Sequence, residues 1–72
     1  MTINPGQVWR DNYDYNADYA RFVKVLAVRT DDVLIRRCTK DGEEIPRSPS
    51  RFTKKSRFNG GRSGFTLVKE AS

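Results

Sequence analysis

Two runs rich in β-branched residues, RFVKVLAVRT (21–30) and DDVLIRRCT (31–39), follow each other across a short Thr30-Asp31-Asp32 junction. Such runs, flanked by turn formers and so closely spaced, predict an antiparallel hairpin. In the first run Val23 and Val25 fall on one parity, Leu26 and Val28 on the other. That break in alternation predicts a bulge, or a strand buried on both faces where a small barrel bends. In the second, Val33 and Ile35 share a face with Arg37, opposite Leu34, Arg36 and Cys38, so Val33 and Ile35 are expected in the core.

The rest of the chain supplies further short strands. Pro5-Gly6 predicts a turn into QVWR, with Val8 or Trp9 holding the strand to the core. Asp41-Gly42 suits a two-residue primed turn, because both of its central residues take positive φ. The strand that returns from it contains Pro46 and Pro49, neither of which can donate a ladder hydrogen bond, so EIPRSPS is expected as an edge strand or an irregular crossing. In SRFTKKSRF (50–58) the tripeptide Ser-Arg-Phe occurs twice, and an unbroken strand would point Phe52 and Phe58 the same way. We expect Phe58 in the core, with the Arg and Lys residues presented to solvent. GFTLVKE (64–70) is a final strand with Phe65 and Leu67 on one face. The expected fold is therefore all-β: a small, partly open antiparallel barrel like the Src-homology-3 fold, of five to six short strands, with little helix. Its expected core is Val8, Val25, Val33, Ile35, Phe58, Phe65 and Leu67. An oligonucleotide/oligosaccharide-binding barrel is the second choice, and it ordinarily needs more residues.

Residues 1–72 suffice for one domain, expected to be mobile over its first and last few residues. A single cysteine, Cys38, excludes an internal disulfide, and with no His there is no Cys/His zinc set. A reducing, cytoplasmic setting is expected, with no signal peptide, no membrane span and no cofactor. The absence of His also removes the usual general base near neutral pH, so no enzymatic role is expected. The acidic run DNYDYNAD (11–18) lacks the glycine and the final acid of a calcium loop.

Charge is distributed unevenly. The net charge is +5, and Arg47, Arg51, Lys54, Lys55, Arg57, Arg62 and Lys69 lie in a stretch, 45–69, that contains no acid. Residues 11–20 carry Asp11, Asp14 and Asp18 and no cation. Clustered cations point to an anionic partner, although a solvated basic face also confers solubility.

The ordered set Pro-Gly-Gln-Val-Trp-Arg-Asp-Asn (5–12), VKVLAV, VLIR, Arg57-Phe58 and GFTLV (64–68) resembles short proteins of unassigned function from actinobacteria and their phages. The resemblance spans nearly the whole chain; it implies a Src-homology-3-like barrel and no particular chemistry. Gly-Gln-Val-Trp is also similar to the first strand of messenger-RNA interferase toxins, a match that ends at Trp9.

Two functional classes follow. In the first, the chain is a nucleic-acid-binding module in which Arg47, Arg51, Lys54, Lys55, Arg57 and Arg62 neutralise phosphates and Phe52 or Trp9 stacks on a base. In the second, it is a protein-interaction adaptor or an inhibitor of a host protein, contacting its partner through Trp9 and the Tyr13, Tyr15 and Tyr19 loop.

Overall fold

A computed structural model describes residues 3–12, 21–61 and 64–71. Five strands run in the order β1 (Val8–Asp11), β2 (Arg21–Val28), β3 (Asp32–Cys38), β4 (Arg51–Lys54) and β5 (Phe65–Lys69). They form one antiparallel sheet ordered β4-β3-β2-β1-β5, so β4 and β5 are its edges and the barrel is only partly closed. Among the described residues there is no α-helix; a 3-10 turn, Lys55–Arg57, follows β4. Among the described residues no helix is long and apolar enough to cross a membrane.

The parity break in β2 is a bulge. Val25 pairs with Ile35, Ala27 pairs with Leu34, and the register shifts between them at Leu26. The bulge lets Val23, Val25 and Val28 all reach one interior although their spacing is not a strict alternation. Val23, Val25, Val33, Ile35, Phe58 and Phe65 form the core with Trp9, and Leu67 packs against it partly buried. The Trp9 and Phe58 rings meet edge to face at 4.9 Å, and Phe58 lies 4.8 Å from Phe65 in a tilted stack. These offset arrangements suit the ring quadrupoles.

One expectation, the turn at Gly42, is corrected. Val8 is buried as expected, on the face of β1 opposite Trp9, because adjacent strand residues point to opposite faces. A side chain at Gly42 would press on Val8 Cγ2 at 3.3 Å. The Asp41-Gly42 turn is not a two-residue primed turn. Gly42 N donates to Thr39 O, Thr39 N donates to Glu43 O, and only Gly42 is left-handed, at φ 96°. This matches a three-residue loop that ends in a left-handed glycine. SRFTKKSRF is a strand followed by a turn, with Phe58 in the core as expected: β4 stops at Lys54, and the 3-10 turn redirects the chain so that Phe58 enters the core and Phe52 stays outside. The Pro46/Pro49 segment is irregular, as expected, with an isolated bridge from Glu44 to Cys38 in place of a strand.

Gly-Gln-Val-Trp is a structural unit. Gly6, at φ 95°, turns the chain into β1 and donates to Val25 O. The buried Gln7 side chain then satisfies its surroundings: its Oε1 accepts from Asn4 N at 2.8 Å and from Trp9 Nε1 at 3.1 Å, while its Nε2 donates to Glu70 Oε1 at 2.7 Å. One amide thus ties the chain start, the core indole and the segment after β5 together.

Candidate functional site

Edge strand β4 carries the candidate site. Its register pairs Lys54 with Asp32, Thr53 with Val33, Phe52 with Leu34 and Arg51 with Ile35. Phe52 and Lys54 therefore lie on the face of Leu34 and Asp32, opposite the core. Phe52 is 48% exposed, one of only two large apolar side chains so exposed among the described residues.

The Phe52 ring is capped on one side. Arg29, at the end of β2, places its guanidinium carbon 3.8 Å from the ring centroid. Its Nε and Nη2 each donate to a carboxylate oxygen of Asp32 at 2.6 Å, and its backbone N donates to Asp32 O. This paired-donor geometry fixes the guanidinium plane. The hydrogen bond from Arg29 holds the Asp32 carboxyl below its ordinary range, with smaller help from the charges of Arg29 and Lys55 against some loss of solvent; the same bond raises Arg29. Neither Arg29 nor Asp32 stands out as a site residue in the sequence. The signal available was an Arg three positions before an Asp across a tight turn.

Arg51, Lys54 and Lys55 follow one another along the edge strand and into the 3-10 turn, which is tied to the β2–β3 hairpin by Lys55 N donating to Asp31 O at 3.1 Å. Arg51 and Lys54 are exposed and Lys55 is half-buried. Among the described residues neither these three nor Arg47 makes a salt bridge.

Arg47 sits on a separate loop. It is exposed and adopts φ 70°, the left-handed region, within a Pro46-Arg47 turn in which Ser48 N reaches Ile45 O. Arg36 holds that loop against the sheet, with Nε donating to Ser48 O at 3.0 Å, Nη2 to Ile45 O and Nη1 to Glu44 Oε1 at 3.1 Å.

Other expected site residues fall elsewhere. Arg57 is half-buried and engaged with the fold: its guanidinium lies 4.6 Å from the Phe65 ring centre and 3.8 Å from the largely buried Asp11 carboxylate, so it is not a free phosphate ligand. Trp9 is fully buried and hydrogen-bonded to Gln7, so it presents no surface to a partner protein. Arg62, Tyr13, Tyr15 and Tyr19 lie outside the described residues. Cys38 is buried, and loss of solvent pushes its thiol up, which keeps it protonated at neutral pH.

No family model, no curated protein and no solved structure matches this chain. The resemblance to the actinobacterial and phage proteins therefore stands on the residues quoted for it.

Proposed function

We propose that this chain is a small nucleic-acid-binding module whose contact surface is the β4 edge and the turn after it. Lys54 shares the face of Phe52, Arg51 lies on the other face of the same edge strand and Lys55 in the turn beyond, so the three cations neutralise phosphates that cross the edge while Phe52 offers apolar contact beside Lys54. The observation that carries this reading is the juxtaposition of a half-exposed Phe52 with Lys54 on its own face and Arg51 beside it, neither of which makes a salt bridge among the described residues. Arg57 drops out of the phosphate set that the sequence suggested; Arg47 stays as a flanking contact on its own loop.

The test is fluorescence anisotropy with labelled oligonucleotides at several salt concentrations. Replacing Arg51, Lys54 and Lys55 together with Ala lowers affinity and reduces the slope of log K against log salt by roughly one unit for each phosphate no longer neutralised. A variant that binds as the parent does, with the same slope, contradicts the reading.

A further inference from the structure

Duplex and single-stranded nucleic acids present the same phosphates but differ in whether a base is free to leave its stack, and the Asp32–Arg29–Phe52 arrangement bears on that difference. We infer that Phe52 with Arg29 stacked on it is a platform for an unpaired base, so that the module takes single-stranded nucleic acid in preference to duplex; this rests on the function proposed above.

Three features support it. Phe52 lies within β4, paired with Leu34 of β3 between the Arg51–Ile35 and Lys54–Asp32 pairs, so its ring is presented from a strand and not from a loop. Arg29 lies over the ring at 3.8 Å and is fixed by two 2.6 Å bonds to Asp32, which leaves Nη1 and the second Nη2 proton free to donate to a base edge or a phosphate. Asp32 also cancels the charge of Arg29, so Arg29 acts mainly as a planar surface, while Arg51 and Lys54 supply charge that no salt bridge offsets among the described residues. Bases in a duplex are stacked within the helix and cannot reach such a platform, whereas a splayed base can lie against an aromatic ring or a guanidinium plane.

The division of labour gives the test. Labelled short oligonucleotides of single-stranded DNA, single-stranded RNA and a DNA duplex are titrated against the full chain. Phe52→Ala lowers single-strand affinity by about tenfold, the effect of removing one base–aromatic stack, with the salt slope and the duplex affinity unchanged. Phe52→Trp, which offers a larger π face, keeps or tightens single-strand binding. Asp32→Asn frees Arg29 and adds net positive charge, so both forms bind with a steeper salt slope but the single-strand to duplex ratio falls; this places Asp32 as a positioning residue. The DNA and RNA arms report which backbone is preferred. Equal losses for single strand and duplex in Phe52→Ala, or weaker single-strand binding by Phe52→Trp, overturn the platform. If the parent chain binds none of the three at low salt, the broader nucleic-acid reading fails with it, and the two failures are thereby distinguished.

Discussion

The Asp11 carboxylate approaches the Arg57 guanidinium to 3.8 Å, and that guanidinium lies over the ring of Phe65, directly across from Asp11 in the β1–β5 ladder. A cation from the basic stretch is thus part of the packing, closing one end of the core over a buried aromatic. Among the described residues the cations of β4 have no such engagement.

Arg57→Ala therefore lowers stability, by about 1–2 kcal/mol, because Phe65 is uncovered and a nearly buried carboxylate is left with less compensation. Arg51→Ala changes it by less than about 0.5 kcal/mol. Urea denaturation of the two variants separates these roles.

The two Ser-Arg-Phe tripeptides predict opposite consequences at their Phe positions. Phe58 is 5% exposed and touches Trp9 and Phe65, so Phe58→Ala costs about 3–5 kcal/mol and leaves a domain this small largely unfolded. Phe52→Ala, at an outward position, costs about 1 kcal/mol or less. Circular dichroism thermal melts are the measurement; equal melting points for the two variants would contradict the assigned faces.

Arg47 adopts a conformation that glycine holds without strain. Arg47→Gly raises stability by about 0.5–1 kcal/mol, the relief of the left-handed penalty less the greater entropy of an unfolded glycine. Arg47→Val, β-branched at positive φ, lowers it. Chemical denaturation at constant m-value reads both signs.

Asp32 gives the fold a defined acid sensitivity. Its carboxyl lies below the ordinary range because Arg29 donates to the ionised form, so the folded chain takes up that proton less readily than the unfolded chain. The contribution is complete above the usual Asp range and is lost as pH falls through the lowered folded value. An NMR titration of the Asp32 side chain shows a midpoint below that of an unperturbed Asp, and Asp32→Asn abolishes this part of the pH dependence of stability. An ordinary midpoint would mean that the Arg29 pair is not formed in solution.

The fold was legible where local chemistry decides it. The β2–β3 hairpin, the bulge near Leu26 and the irregular Pro46/Pro49 segment all follow from residue types and parity. Trp9 is not the surface residue that the adaptor reading required. Sequence parity puts Val8 and Trp9 on opposite faces of β1 and does not say that both are buried; the indole also has a buried partner in the Gln7 amide. The three-residue turn at Gly42 depends on a pairing of Thr39 with Glu43 that the Asp-Gly pair does not specify. At the site, Phe52 and the β4 cations were visible as a basic, aromatic strip. The Arg29 cap was not, because it joins residues far apart in sequence through strand register, and the engagement of Arg57 was hidden for the same reason.

The most direct test of the proposed surface is an NMR titration of the isotopically labelled chain with a short single-stranded oligonucleotide at low salt, followed residue by residue. Amide shifts are predicted to concentrate at Arg29, at Arg51–Lys54 and at Lys55, with Val23 and Ile35 in the core unmoved and the perturbation fading as salt is added. An absence of shifts at low salt, or shifts that spare β4 and cluster on the opposite edge at Phe65–Lys69, would contradict it.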